Sequence, residues 1–421
     1  MTADRFGNRI DPSVGYARGA LIRSSADEVR RLRHGQSLAG ARVMDQGADS
    51  IGIFTGNSRA FPLVGDDVSV LCEEWIGPGL FKDRLRDVAV AHLGGGGDDD
   101  AAVFNRTSAG LVASVLALSD KRPVVSVVPD GDRSHASVMR GCRLAGVPLV
   151  EVEGSSDCAD AIDKHRPGLV VVTTVTSALN RLDDARSESA VAAANEGGAV
   201  TLLDEAYGAR LRPVLHDGAP GLSLGADLSI TNADKAGLAG PRAGVMAGST
   251  DALIPVVAQA AELGMEARAP VAAGAMRSLE SFDPTMLLDE ARDGRAIADV
   301  LAGMFGEDVV QRSDLGPMID EEDVHAIVMA RADIERTAIV PAEMTAALGM
   351  LLLRDHGVLT TNSHGQPGGR VSLRLKPTPG AVARVGGAAV LGDAVSSAID
   401  VVAEKIGDPG WFARLMFGDD A

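Results

Sequence analysis

Short apolar runs alternate with helical segments through the middle of the chain, and this alternation limits the fold most narrowly. The apolar runs occupy residues 124–129, 148–152, 169–175, 200–204, 228–231 and 243–247. The segments that read as helices lie near residues 107–119, 135–145, 157–165 and 187–196. A repeated strand–helix–strand order predicts an α/β fold with a mostly parallel sheet, right-handed crossovers and helices on both faces.

Length and composition agree with this fold. The chain has 421 residues, of which 46% are hydrophobic and only 3% aromatic. The core must therefore be built from Val, Leu, Ile and Ala, which suits strands that are buried on both faces. A chain of this length is long enough for a large α/β domain and a smaller companion.

The pattern changes near residue 260, which predicts a domain boundary there. Residues 61–260 are expected to form the large domain, residues 261–421 a small α+β domain, and residues 1–60 a segment that packs with the small domain. In the small domain, residues 298–305, 346–355 and 380–406 read as helices, and residues 326–330, 357–361 and 371–375 as strands. Residues 94–100, four glycines followed by three aspartates, read as a flexible connection.

Charge and cysteine usage limit the partners and the compartment. The formal net charge is −18, which argues against nucleic-acid or anionic-membrane contact. Cys72, Cys142 and Cys158 form no Cys-x-x-Cys pair, so we expect free thiols in a reducing, cytoplasmic compartment. No signal-like apolar core begins the sequence, and no stretch approaches the roughly 20 apolar residues of a membrane span. The histidines lack metal-ligand spacing, so no metal site is expected.

Two strand ends carry an acid and a lysine. Asp204 ends the run 200–204, and Lys235, one of six lysines, follows the run 228–231. Ligands of parallel α/β sheets bind at the carboxyl ends of strands. Pyridoxal phosphate (PLP) needs such a pair, because the lysine forms a Schiff base and the aspartate keeps the pyridine nitrogen protonated. Glu205 competes for the second role, but strand alternation points it away from Asp204.

Two further segments could complete a PLP site. Arg106, Thr107, Ser108 and Ala109 stand immediately before an apolar helix, where free backbone N–H groups and the helix dipole favour a phosphate. An ordinary helix cap is the alternative. His135 follows a predicted strand and opens a helix, so it could stack on the pyridine ring and act near the substrate α-proton. A purely structural histidine is the alternative.

Arginines are the candidates for binding a substrate carboxylate. Arg374 lies inside the apolar run Val-Ser-Leu-Arg-Leu, where a charge needs a partner. A bidentate carboxylate suits a guanidinium, although a structural salt bridge explains the position equally well. Arg242 and Arg268 are further candidates for the same anionic pocket.

Several of these segments resemble a known family. Phe104-Asn105-Arg106-Thr107-Ser108, His135-Ala136-Ser137-Val138, the run from Asp204 to Arg210, and Asp234-Lys235 with Gly240-Pro241-Arg242-Ala243-Gly244 resemble segments of the fold-type-I PLP enzymes. Within them the chain is similar to archaeal proteins that resemble selenocysteine synthase. The likeness runs from about residue 75 to about residue 275, with an echo at residues 372–374.

The resemblance implies roles for individual residues. Lys235 would form the Schiff base, Asp204 would contact the pyridine nitrogen, His135 would stack on the ring, and Thr107 with Ser108 would hold the phosphate. Relatives often have serine three residues before the lysine, where this chain has Asn232, whose amide could still donate to the phosphate. The resemblance also implies a homodimer or larger assembly, with active sites completed across the interface.

The resemblance leaves the reaction open. Relatives include a seryl-tRNA selenium transferase and amino-acid lyases. We expect a PLP-dependent enzyme that acts on a small amino acid by α,β-elimination or β-replacement. One alternative is a selenium or sulfur transferase acting on aminoacyl-tRNA, against which the acidity of the chain counts. The other alternative is a non-catalytic PLP-binding subunit.

Overall fold

The computed structural model describes residues 3–154, 158–365, 367, 369 and 371–419. It divides the chain into two compact units. The large unit comprises Ser58–Leu288, and the small unit comprises Met1–Asn57 together with Asp289–Ala421. Residue 260, near which the sequence predicts a domain boundary, lies within the helix Thr250–Glu262. The large unit continues to Leu288.

A seven-stranded sheet forms the centre of the large unit. Its strands are β1 (Asp99–Phe104), β2 (Val124–Val128), β3 (Leu149–Glu153), β4 (Leu169–Thr173), β5 (Val200–Asp204), β6 (Leu228–Asn232) and β7 (Gly244–Ser249). The spatial order is β1-β7-β6-β5-β4-β2-β3. Strands β2 to β6 pair in parallel, whereas β7 is antiparallel to both β6 and β1. The mostly parallel α/β sheet expected from the sequence is therefore confirmed.

Helices cover both faces of this sheet. They are α1 (Gly77–Leu93), α2 (Thr107–Leu118), α3 (Ala136–Ala145), α4 (Cys158–His165), α5 (Asp184–Glu196), α6 (Gly208–His216), α7 (Thr250–Glu262) and α8 (Ala269–Glu280), with shorter helical turns at Asp67–Leu71 and Gly221–Leu224. Helices α2, α3 and α7 share one apolar core with Leu202 and Ile230. Leu203 packs with α4 and α5 on the opposite face. The predicted first residue of α4, residue 157, lies outside the described residues.

Two expectations from the sequence are wrong. Residues 94–100 do not form only a connection, because Asp99 and Asp100 begin the edge strand β1, paired with β7. Residues 326–330 are helical, within Glu321–Arg331. A short apolar run cannot distinguish a buried strand from a helix. The start signal was nevertheless present, because the Asp320 side chain accepts a hydrogen bond from the Glu322 N–H at the first turn.

The small unit has an α+β composition. Its helices are Ser25–Gln46, Ala48–Ser50, Pro284–Phe305 (which begins in the last residues of the large unit), Glu321–Arg331, Pro341–His356, Thr361–His364, Ala381–Arg384, Ala388–Lys405 and Pro409–Phe417. Its strands are Ile10–Asp11, Tyr16–Ala17, Gly52–Ile53, Val310–Gln311, Met318–Ile319, Val358–Leu359 and Leu373–Arg374. The helix Pro341–His356 is buried along most of its length and packs in the core. Among the described residues, no helix has the length and apolarity that a membrane crossing requires.

Candidate active site

The acid segment and the lysine segment follow adjacent parallel strands. Asp204 is the last residue of β5 and lies opposite Ile230 of β6. Its carboxyl is buried, with 3% of the residue exposed, and Oδ1 accepts a hydrogen bond of 3.3 Å from the Ala206 N–H. Burial raises the pKa of Asp204 to about 6, against the opposing effects of this hydrogen bond and of Lys235. The carboxyl is therefore ionised at neutral pH but can be protonated by a modest change of environment.

Lys235 lies in the turn that follows β6. Its side chain is half-buried, and Nζ lies 4.7 Å from the centroid of the Tyr207 ring. Burial lowers the pKa of Lys235 to about 8, while the carboxylates of Asp234 and Asp204 oppose this shift. A lysine with this pKa has a substantial neutral fraction near neutral pH, which a nucleophilic amine requires.

Glu205, the competing acid, is held elsewhere. Its carboxylate Oε1 accepts hydrogen bonds from Arg212 Nη1 at 2.5 Å and from Thr174 Oγ1 at 2.8 Å. Arg212 in turn contacts Asp184 at 2.8 Å. Leu202 and Asp204 share one side of β5 by strand alternation, whereas Glu205 follows on the other side. The structure thus separates the two acids as strand alternation predicts.

The proposed phosphate cradle lies at the first turn of α2. Arg106 precedes the helix in an extended conformation, and Thr107 and Ser108 are its first two residues. Gly244 of β7 approaches so closely that a Cβ atom there would lie 2.7 Å from the backbone nitrogen of Thr107. The Ala109 N–H donates to the Arg106 carbonyl at 2.9 Å, so it is already engaged. The glycine therefore lets β7 pack directly against the N-terminus of α2, and the sequence did not indicate this role.

Arginines surround this turn. Phe104 of β1 pairs with Gly244 of β7. Arg106 follows Phe104 by two residues, and Arg242 precedes Gly244 by two residues. Burial lowers the pKa of Arg242 to about 10, and the charges of Arg106 and Arg59 add to this effect. Arg59, which the sequence did not suggest, contacts the carboxylate of Asp234 at 3.1 Å. The site is therefore strongly cationic and suits anionic groups.

His135 stands at the start of α3, as expected. Its Nδ1 accepts a hydrogen bond of 3.3 Å from the Ser137 N–H, which leaves the proton of a neutral ring on Nε2. The ring keeps contact with solvent. Desolvation by the surrounding protein, followed by the charges of Lys235 and Arg140, lowers the pKa of His135. The ring is therefore neutral at physiological pH, as a residue that stacks on a cofactor ring can be.

Three other predicted residues lie in different surroundings. Asn232 is buried, and its amide Oδ1 accepts from Arg210 at 3.1 Å while Nδ2 donates to the Ala206 carbonyl at 2.8 Å. These two bonds leave the second N–H of the amide nitrogen for a further contact, so the phosphate contact expected for Asn232 stays a prediction. Arg268 is exposed and contacts Glu74 at 2.9 Å. Arg374 is buried in the small unit, in the strand Leu373–Arg374 that pairs with Met318–Ile319.

The large-unit residues fit the chemistry of PLP. An N-terminal helical turn with an adjacent glycine can hold a phosphate, and a buried carboxylate can hold a protonated pyridine nitrogen. Lys235, with its lowered pKa, supplies an amine for covalent attachment. Among the described residues, no group of three or more His, Cys, Asp or Glu side chains could hold a metal ion.

Solved structures with a similar fold include PLP enzymes. The SepCysS–SepCysE N-terminal domain complex matches with a TM-score of 0.56 at 15% identity, covering 84% of this chain and 96% of that chain. Pyridoxamine-pyruvate aminotransferase from Mesorhizobium loti matches with a TM-score of 0.55 at 14% identity, covering 89% and 99%. The protein therefore has the α/β fold of the fold-type-I PLP enzymes, which confirms the predicted fold class.

Sequence relatives give the family. A UPF0425 PLP-dependent protein of Methanothermobacter thermautotrophicus is 30% identical over 400 residues, which cover 94% of this chain and 100% of the relative. A second, from Methanosphaera stadtmanae, is 28% identical over 350 residues, which cover 83% and 88%. No protein-family model matches the chain. The chain belongs to the UPF0425 family of pyridoxal phosphate-dependent proteins.

Proposed function

We propose that the protein is a PLP-dependent enzyme that acts on an amino acid by α,β-elimination or β-replacement. Lys235 attaches the cofactor, Asp204 contacts its ring nitrogen, and Arg106 with Thr107 and Ser108 holds its phosphate. When bound, the cofactor supplies an electron sink that is conjugated with the α-carbon of the substrate. The surroundings of Lys235 and Asp204 in the large unit support these assignments.

Lys235 would become the base for the α-proton once the substrate amine has taken its place on the cofactor. An amine whose pKa is about 8 can accept a proton near neutral pH and return it in a later step. Asp204 keeps the cofactor nitrogen protonated because its carboxylate is ionised above a pKa of about 6. The neutral ring of His135 would stack on the cofactor when it is bound and would limit the access of water to the reacting carbon.

The cationic surroundings of Lys235 are the reason to favour elimination or replacement over other reactions. In an elimination, Lys235 removes the α-proton, and the electron pair that remains forms a double bond between the α- and β-carbons. The substituent leaves with the electron pair of its bond to the β-carbon. An anionic leaving group is stabilised by nearby guanidinium groups, here Arg242 and Arg59. Racemisation, decarboxylation and transamination release no such anion. The best substrates are therefore amino acids with a phosphate, sulfonate or similar group on the β-carbon.

Arg374 is the proposed partner of the substrate α-carboxylate. The proposal rests on the sequence, where an arginine inside an apolar run calls for an anionic partner and a guanidinium suits a carboxylate. Arg242 would then contact the β-substituent. The net charge of −18 does not favour an aminoacyl-tRNA substrate, so a free amino acid is proposed.

The first experiment tests cofactor attachment. The purified protein is reduced with borohydride and digested, and its peptides are mapped by mass spectrometry. We expect the cofactor on Lys235, and no label at that position in Lys235→Ala. Labelling of another lysine in the wild-type protein, or no label, would end the proposal.

The second experiment identifies the reaction. Phosphoserine, cysteate and other β-substituted amino acids are incubated in D2O, with alanine as the control that has no leaving group. Elimination releases the β-substituent together with a 2-oxo acid and ammonia in equal amounts, whereas alanine can only exchange its α-proton. Exchange at the α-carbon of the β-substituted compounds without release of the substituent would exclude elimination and replacement.

A further inference from the structure

Arg210 is a buried arginine whose contacts centre on the turn that carries Lys235. It lies in α6 and is 1% exposed. Its Nε donates to the Ala236 carbonyl at 3.0 Å, its Nη1 donates to Thr231 Oγ1 at 3.0 Å, and its Nη2 donates to Asn232 Oδ1 at 3.1 Å. One guanidinium therefore binds the end of β6 and the residue that follows Lys235.

The same contacts extend to the acid segment. Thr231 Oγ1 donates to the Glu205 carbonyl at 2.9 Å, and Asn232 Nδ2 donates to the Ala206 carbonyl at 2.8 Å. These two carbonyls directly follow Asp204 in the chain. Arg210 thus lies at the centre of a network that joins the end of β5 to the end of β6 and to the Lys235 turn.

The turn contains a backbone conformation that needs support. Ala236 has φ of 49°, a region that residues with a side chain rarely adopt, and Gly237 follows with φ of 80°. The Arg210 donation to the Ala236 carbonyl holds this peptide in place. Because Ala236 is joined directly to Lys235, its peptide orientation helps to set where the lysine side chain begins.

His92 completes the surroundings of the guanidinium. Its Nε2 lies 3.2 Å from Arg210 Nη1, and its ring packs edge-on against Phe282. Burial, with the added charge of Arg210, lowers the pKa of His92 to about 3. A neutral imidazole can accept a hydrogen bond from the guanidinium, so the contact is attractive at physiological pH.

We propose that Arg210 is a positioning residue that holds the Lys235 turn in register with the Asp204 strand end. The proposal rests on the proposed function only in treating Lys235 as the attachment point of the cofactor. A lysine at position 210 keeps the charge but lacks the planar fork that binds Ala236, Thr231 and Asn232 together. The turn of Arg210→Lys then loosens, and the Lys235 amine gains contact with water.

Acetylation of Lys235 at different pH values tests this role, because only the neutral amine reacts. The measurement uses the full-length chain without cofactor, acetic anhydride as the probe and mass spectrometry as the readout. The wild-type midpoint is expected near pH 8. In Arg210→Lys we expect it to rise by about one pH unit, because a better-hydrated ammonium ion is more stable. At pH 8 the neutral fraction of the amine should then fall about fivefold.

Arg212→Lys is the matched control. Arg212 lies two residues further along the same helix and is equally buried, but it contacts Glu205, Asp184 and the Ala219 carbonyl. The control should lose stability without moving the Lys235 midpoint. Equal midpoints in all three proteins, or equal shifts in both variants, would overturn the proposal.

A second variant covers the case in which Arg210→Lys does not fold. Thr231→Val keeps the guanidinium but removes one acceptor, so the Lys235 midpoint should rise in the same direction by a smaller amount. An unchanged midpoint in a folded Thr231→Val protein overturns the proposal. A midpoint that rises in Arg210→Lys but not in Arg212→Lys would support the positioning role of Arg210 whether or not PLP binds to Lys235. Failure of the wild-type protein to trap PLP on Lys235 would end only the proposed function.

Discussion

Asp204 and Glu205 are neighbours in the chain, but their carboxyl groups lie in two different electrostatic regions. Around Glu205, Arg212 and Thr174 bind one carboxylate oxygen, and Arg212 also binds Asp184. Burial alone would lower the pKa of Arg212, but Glu205 and Asp184 raise it. Opposite charges are in direct contact there and favour the charged form of Glu205, although burial still raises the pKa of this carboxyl above its ordinary value.

The Asp204 region contains an acid and an amine whose pKa values burial shifts toward each other. Asp204 has a raised pKa and Lys235 a lowered pKa, each chiefly because burial disfavours its charged form. Both groups can therefore change protonation state within the physiological range. The end of β5 therefore has two roles. The ion pair of Glu205 with Arg212 stabilises the fold, whereas Asp204 and Lys235 are titratable groups suited to proton transfer.

Removal of Glu205 should give the largest effect on stability. Glu205→Ala leaves the Arg212 charge buried with one partner fewer, and breaking a buried pair in this way typically costs about 3–5 kcal/mol. The free energy of unfolding, measured by denaturant titration of the cofactor-free chain, checks this value. Asp204→Ala is the control and should cost much less. Equal losses in the two variants would remove the distinction between the two regions.

Asp204→Asn should remove a pH dependence of stability that the wild-type protein shows in a defined direction. The folded-state pKa of about 6 exceeds the ordinary value of 3.8, so the folded wild-type protein binds more protons between these values. Its stability therefore falls as the pH rises from about 4 to about 6, by up to about 3 kcal/mol. Asparagine lacks this titration. Thermal unfolding measured at pH 4 and pH 8 should show that the stability of the variant, relative to wild type, is higher at pH 8 than at pH 4. A stability difference that does not change with pH would contradict the raised pKa of Asp204.

Arg374→Lys tests whether the arginine of the small unit binds substrate or only stabilises the fold. If Arg374 binds the substrate carboxylate, loss of the planar fork should weaken apparent substrate affinity by about tenfold, with cofactor attachment unchanged. A titration with the first amino acid that gives a spectral change measures this midpoint. Unchanged affinity with reduced stability would make Arg374 a structural residue like Arg212, and the search would move to Arg242.

The strand ends could be predicted because their signals are local. An apolar run that ends in Asp204, a second run before Lys235 and the alternation that separates Glu205 all depend on adjacent residues. The same local logic identified the helix that follows Arg106. It confused residues 326–330 with a strand, because a run of five apolar residues is too short to show a helical period.

The remaining features depend on contacts between distant segments. Arg59 reaches Asp234 across 175 positions, and Arg210 engages the amide of Asn232 from a helix. Neither contact leaves a periodic or spacing signal in the sequence. The phosphate role expected for Asn232 came from its place three residues before Lys235, whereas the orientation of its amide depends on Arg210 and the Ala206 carbonyl, which no local pattern shows.

Arg59→Gln should give the smallest measurable effect on the lysine. Arg59 lowers the pKa of Lys235 by its charge and also binds Asp234, which raises that pKa. Its removal acts twice in one direction, because a repulsive charge is lost and the Asp234 carboxylate is left to Lys235. The side chain of Arg59 is 47% exposed, so solvent screening should keep the rise below about one unit.

Acetylation of Lys235 across pH, at low and high salt, measures this shift. The difference between Arg59→Gln and wild type should shrink at high salt, because the Debye length falls to about 3 Å at 1 M. Arg268→Gln is the control, since it removes an arginine of the same unit whose contact is Glu74 on the surface. An equal shift of the midpoint in Arg268→Gln and Arg59→Gln would mean that only the net charge of the protein matters, not the position of Arg59. A salt-sensitive rise confined to Arg59→Gln would show that direct charges, besides burial, tune the lysine.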